Sequence, residues 1–381
     1  MQKSRIVALS MGHFINDMYV GFLAPLLPLL IDKIGLTLTM AAGLASLLSI
    51  FTSMAQPVFG HIADKIKHPY LAVFGPLLTA TFLSSIGRAH SYLMLVVIIV
   101  FAGIGTAAFH PQAASLAGRV SGRQNGLGMS IFVTGGSAGY YVGPLLIMSI
   151  VTWLGLEYSF VAVLPGLAIS AVLFSLLPHL PHTARQYAKM NKTVAVPHQL
   201  KAILLLFFIS MFRSFIIVGF NTFIPIYLEQ QDVAPMMYAA ALSLFGMPGA
   251  VGSMLSGGLS DRFGRKKVIF ASFALSLPFF TIFLVADHLF GIAALAFAGF
   301  AIFSSIPVVI ITAQELFPGR VNTASSLVMG LSFGIGGLLV TPLGTLAEMI
   351  GIGNALFVLV AVGAIAAILV FFLPESKRVT P

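Results

Sequence analysis

The stretch HFINDM (13–18) sets His13, Asn16 and Asp17 in a segment that is otherwise nearly all apolar. At the helical period, positions 13, 16, 17 and 20 share one face, so an imidazole, an amide and a carboxyl group point together. Burial in an apolar medium disfavours a charged carboxylate, and histidine exchanges its proton near neutrality. The chemistry this face suits is proton uptake and release, at Asp17 with His13 one turn away. The competing role is structural, with Asp17 bonded to a neighbouring helix. Further along, AAFHPQ places His110 before Pro111 and Gln112, and ISMFRSFIIVGFN carries Arg213 and Asn221. His110 is a second candidate for proton exchange, or a hydrogen-bonded structural residue. Arg213 keeps its charge and needs an anion: Asp17, Glu348 or a negatively charged substrate, which its planar fork could hold bidentately. The alternative for Arg213 is a fixed ion pair. Asn16, Gln112, Asn221 and Gln314 complete the candidate substrate-binding set.

These groups lie in a chain of 381 residues that is 58% hydrophobic and 8% charged, against about 25% charge in soluble proteins. Apolar runs near or above the roughly 20 residues that cross a bilayer recur throughout. They are continuous rather than alternating, which predicts an all-α membrane protein and not a barrel. Twelve spans are expected, at roughly 6–30, 39–61, 69–88, 91–117, 124–154, 157–178, 202–228, 235–258, 268–286, 289–314, 321–348 and 353–373. MQKSR at the start is too short for a separate signal, and the first run is long enough to span. An intramembrane charge costs about 2.5–3.5 kcal/mol on the insertion scale and usually faces a cavity. Asp17 lies about halfway through its span, deeper than an interfacial residue would.

Of the 20 Lys and Arg residues, 17 fall on one side of this topology, Lys33 and Arg88 on the other, and Arg213 within a span. That bias places both termini in the cytoplasm and accounts for the net charge of +9 without nucleic acid. Cysteine is absent, which excludes disulfides and thiolate metal sites. HExxH and Walker motifs are also absent, so an enzyme is not expected and ATP is not the direct energy source. No cofactor and no metal are expected.

Internal echoes divide the chain into a six-span bundle (1–180), a polar linker (181–201) and a second six-span bundle (202–381). GHIADKIKHP (60–69) follows span two, and GGLSDRFGRKK (257–267) follows span eight, with Gly60 and Asp64 spaced as Gly257 and Asp261. GYYVGPLL (139–146) pairs with GLLVTPLG (337–344), which sets Pro144 opposite Pro342. Two matches in register argue for duplication, a common transporter plan with a site between the repeats. A gate could be built from Gly60, Asp64, Lys65 and Arg119 in one half, and from Gly257, Asp261, Arg262, Gly264, Arg265 and Glu315 in the other. Glu315 is expected to pair with Arg262 or Arg265, and Arg119 with Asp64. Exposed pairs of this kind are worth about 0–1 kcal/mol, weak enough to break in a cycle. Lys266 and Lys267 read as topology signals. Gly135, Gly139 and Gly143, one turn apart before Pro144, predict close helix packing.

The pattern G-x-x-x-D-R-x-G-R-K resembles the signature of the major facilitator superfamily, matched almost letter for letter by Gly257 to Lys266. The first copy departs from it, with Lys67 where the glycine is usual. GHFINDM, QPVFGHIADK, AAFHPQAASLAGRVSGRQNGLGMSIFVTGGSAG and AQELFPGRV are similar to the fosmidomycin resistance protein family. The resemblance implies the major facilitator fold and a proton-driven exporter of small molecules, such as phosphonate antibiotics. It also implies alternating access, a bacterial inner-membrane location and a monomer. GGSAGYYVGP resembles the fifth-span motif of antiporters, though Leu146, Ile147 and Met148 stand where a glycine pair usually follows. The fourth span lacks the arginine common in drug/proton antiporters, which leaves Asp17 more of the coupling. An importer of an organic anion remains the alternative.

Overall fold

The computed structural model describes residues 2–66, 68–177, 197–316, 324–325 and 327–374; the side chain of Asp64 and most of the 181–201 linker lie outside that description. Among the described residues, twelve helices are long and apolar enough to cross a membrane: Lys3–Ile34, Leu38–Ala63, Tyr70–Arg88, Tyr92–Ser121, Leu127–Leu154, Leu156–Leu176, Lys201–Glu229, Pro235–Phe263, Arg265–Val285, His288–Leu316, Leu327–Ile350 and Ile352–Val370. They are numbered here as spans one to twelve. Each of the twelve expected runs overlaps one of these helices, and the described residues contain no strand. The physical reason is that backbone polar groups in hydrocarbon must be satisfied within their own segment.

The chain forms two compact units, Met1–Arg185 with Leu228–Ser243, and Gln186–Tyr227 with Leu244–Pro381. In the first unit, spans one and five touch backbone to backbone. A Cβ on Gly135 would stand 2.7 Å from the Ser10 carbonyl oxygen, and one on Gly139 or Gly143 would overlap the carbonyl of Phe14 or Met18. This is the close approach that small residues at four-residue spacing permit. Spans three and four meet in the same way: a Cβ on Gly75 would lie 2.7 Å from the Gly105 carbonyl oxygen, and the reverse holds too. Thr79 seals that seam through the Gly75 and Ala102 carbonyls. Span six is tied to span one by Tyr19, whose hydroxyl donates to the Ala162 carbonyl at 2.6 Å and accepts from the Gly166 amide at 2.8 Å. Behind these contacts lies an apolar cluster that includes Ile6, Leu9, Phe109, Leu116, Phe132 and Leu173.

The second unit repeats the plan with different residues. Span eleven approaches span seven at Gly336, where a Cβ would be 2.7 Å from the Met211 carbonyl oxygen. Ser332 bonds Ser210 across the same seam at 3.0 Å. Phe220 stacks on Phe280 with centroids 4.1 Å apart. Large apolar side chains such as Leu93, Trp153, Met254 and Phe290 stay exposed in both units, as lipid-facing positions should.

Candidate functional site

Span one presents His13 and Asp17 one turn apart, and span four brings His110 to meet them. His13 Nε2 lies 3.2 Å from Asp17 Oδ2, His110 Nε2 lies 3.2 Å from Asp17 Oδ1, and the two Nε2 atoms are 3.1 Å apart. The far side of each imidazole is anchored to backbone. His13 Nδ1 is 2.8 Å from the Phe132 carbonyl oxygen on span five, and His110 Nδ1 is 2.9 Å from the Thr106 carbonyl oxygen. A carbonyl can only accept, so both Nδ1 atoms carry hydrogen. In the neutral rings, both Nε2 lone pairs therefore face each other and the carboxylate. Three acceptors converge on one point, an arrangement that calls for a cation.

The surroundings hold this geometry. His13 stacks on Phe132 at 4.3 Å and meets His110 edge-on at 4.9 Å. Gly136 leaves the space for the ring, since a Cβ there would overlap its Nε2 edge. Asn16 Nδ2 donates to Asp17 Oδ1 at 3.0 Å, while its own Oδ1 is buried without a partner among the described residues. His13 is buried, whereas the side chains of Asp17 and His110 keep 18% and 21% of their exposure, so the centre is partly accessible. The Phe132 carbonyl, Gly136 and the Thr106 anchor escaped the sequence reading. Only the GGSAG run hinted at Gly136.

Gln112, one residue past Pro111, is engaged elsewhere. Its Oε1 accepts from the Ala72 amide at 2.8 Å and its Nε2 donates to the His68 carbonyl, so it holds the start of span three. Gln314 donates to Ser325 at 2.9 Å, and Asn221 to the Ile217 carbonyl one turn back at 2.8 Å. In the second unit, Arg213 is buried at 4% exposure. Its Nη2 donates to Ser210 at 2.6 Å, and its Nη1 has no partner among the described residues. A buried guanidinium with an unused donor edge can take an anion.

Toward the end of span eight, Asp261 pairs with Arg265 at 2.6 Å, and Arg265 pairs with Glu315 of span ten at 2.9 Å. Arg262 instead lies over the Phe263 ring at 5.4 Å. Gly264, between spans eight and nine, has φ of +99°, a conformation other residues resist. A Cβ on Gly257 would meet nothing, and one on Gly60 would touch only Pro111 at 3.7 Å. Lys65 and Arg119 are exposed. The expected Arg119–Asp64 pair lies outside the described residues. Lys266 bonds the Phe371 and Leu373 carbonyls at 2.7 and 3.0 Å, capping span twelve.

The sequence profile of the Major Facilitator Superfamily matches residues 9–252 and 202–381. The chain is 29% identical to the uncharacterized MFS-type transporter YfnC of Bacillus subtilis (strain 168), over 98% of this chain and 93% of that one. It is 28% identical to the fosmidomycin resistance protein of Escherichia coli (strain K12), over 97% and 93%. Among solved structures, a bacterial homolog of the human lysosomal transporter Spinster, in its inward-facing and unoccupied conformation, superposes with a TM-score of 0.81 and 14% identity, over 98% of this chain and 96% of that one.

Proposed function

From the premise that the chain belongs to the Major Facilitator Superfamily, and is therefore a transporter with a small-molecule cargo, we propose that it exports a small drug-like or anionic compound in exchange for protons. The observation that carries the proton half is the convergence of His13, Asp17 and His110, where a single proton satisfies lone pairs that otherwise oppose one another. A proton placed on either Nε2 becomes a charge-assisted bond to the carboxylate. The three groups thus act as one acceptor, with Asp17 supplying the compensating charge.

Arg213 is the substrate-side candidate, since its unused Nη1 edge suits a phosphonate or carboxylate. Asn221 and Gln314 are further candidates for substrate contact. Likeness to the fosmidomycin resistance protein favours export over import. The lysine and arginine bias supports a cytoplasmic side for both termini, the bacterial relatives support an inner-membrane location, and in this reading the protein works as a monomer. The Asp261–Arg265–Glu315 chain serves as one part of a cytoplasmic gate. Alternating access carries the cycle: the centre takes a proton from outside, and substrate enters near Arg213 from inside.

The test follows accumulation of labelled compounds, phosphonates included, in a drug-sensitive bacterial host expressing wild type or Asp17→Asn, with and without a protonophore. Export predicts lower accumulation with wild type, abolished by either the substitution or the protonophore, with the variant still inserted. Normal extrusion against a gradient by Asp17→Asn would remove Asp17 from the scheme. Raised accumulation of an organic anion would make Arg213 the site of an uptake carrier.

A further inference from the structure

We propose that His13, Asp17 and His110 form a binding site for a divalent transition-metal cation of the zinc class, with a coordination position left open. The ligand geometry does not depend on the direction or coupling of transport. Zinc binds imidazole nitrogen at about 2.0–2.1 Å, which puts neighbouring ligand atoms about 2.9 Å apart at right angles and about 3.4 Å apart in a tetrahedron. The three contacts of the centre, at 3.1, 3.2 and 3.2 Å, fall between these limits. Ring direction gives a second check. Two imidazoles aimed at one ion, with nitrogens this close, would have centroids about 4.9 Å apart at zinc–nitrogen bond lengths, and the observed separation is 4.9 Å.

The protonation pattern gives a third. Both Nδ1 atoms are committed to backbone carbonyls, so both Nε2 atoms offer lone pairs without a change of tautomer. Backbone carbonyls on the far nitrogen are the usual outer support of metal-binding histidines. Asn16 gives Asp17 the matching support by donating to Oδ1. The carboxylate presents one oxygen toward each imidazole, so it can bind through either or both. Two histidines and a carboxylate suit zinc, cobalt, nickel or iron. Calcium and magnesium require more oxygen ligands. The partial exposure of Asp17 and His110 leaves room for water or a substrate atom in the open position.

The experiment titrates Co2+ into the purified full-length chain in lipid nanodiscs and follows visible d–d absorption. A saturable band, displaced by Zn2+ but not by Mg2+, is expected. His110→Gln and Asp17→Asn should each weaken binding by more than the roughly 10- to 100-fold that loss of an outer support costs. His90→Gln and His288→Gln should leave it unchanged. Absence of the band, or its survival in His110→Gln and Asp17→Asn, overturns the proposal, as does its loss in either control. If a variant fails to fold, X-ray absorption of the zinc-loaded wild type decides. Scattering from two imidazoles supports the site, and a shell without histidine overturns it. Because binding is read directly, failure here is distinct from failure of the export scheme.

Discussion

Replacing Gly136 with alanine adds a single carbon where the edge of the His13 ring now lies. The ring cannot slide away, since it is 7% exposed, stacked on Phe132 at 4.3 Å and pressed against His110. It must turn, and turning breaks the 2.8 Å bond from Nδ1 to the Phe132 carbonyl. A buried polar group left unpaired costs about 1–3 kcal/mol. At 1.4 kcal/mol per tenfold, that removes the productive geometry by a factor of roughly 5 to 140. In liposomes, proton-gradient-driven transport of a compound identified by the accumulation panel should fall by that factor. Gradient-independent counterflow should fall much less, because the substrate contacts are untouched. Gly258→Ala is the control, since its added carbon meets nothing within 4 Å. If Gly136→Ala matches wild type in gradient-driven rate, the anchoring of His13 is irrelevant to coupling and the reasoning fails.

Three other outcomes are expected. Tyr19→Phe should lower stability by about 1–3 kcal/mol, because the Ala162 carbonyl and the Gly166 amide both lose a buried partner; a thermal midpoint unchanged in detergent would contradict this. Gly264→Ala forces a side chain into φ of +99° and should cost about 1–3 kcal/mol, which differential scanning fluorimetry can read. Arg213→Lys keeps the charge but loses the fork, so KM for anionic compounds should rise by roughly 10- to 150-fold, equivalent to about 1.5–3 kcal/mol, with kcat nearly unchanged. An unchanged KM would place the anion elsewhere.

Most of the fold was legible because bilayer thickness fixes helix length and hydrocarbon forbids loose backbone. The pairing of His13 with Asp17 was legible too, since four residues make one turn. The arrival of His110 was not, because it depends on how span four crosses span one, which no local pattern encodes. Gly136 stayed hidden for a related reason: every-fourth spacing picks out Gly135, Gly139 and Gly143, whereas Gly136 faces a ring rather than a backbone. Lys266 shows the limit of charge counting, since the bias assigns its side of the membrane but not the two carbonyls it caps. Of the candidate gate, the Arg265–Glu315 pair could be anticipated from sequence, but the link from Arg265 back to Asp261 was not.

Among the described residues, the atoms that bond and anchor the Asp17 centre come from spans one, four and five of the first unit, while buried Arg213, whose charge is permanent, belongs to the second. In the proposed cycle, exchangeable charge therefore lies in one unit and permanent charge in the other. Building the same centre in the second unit would require a glycine facing the new imidazole and a carbonyl to orient it, as well as three side chains.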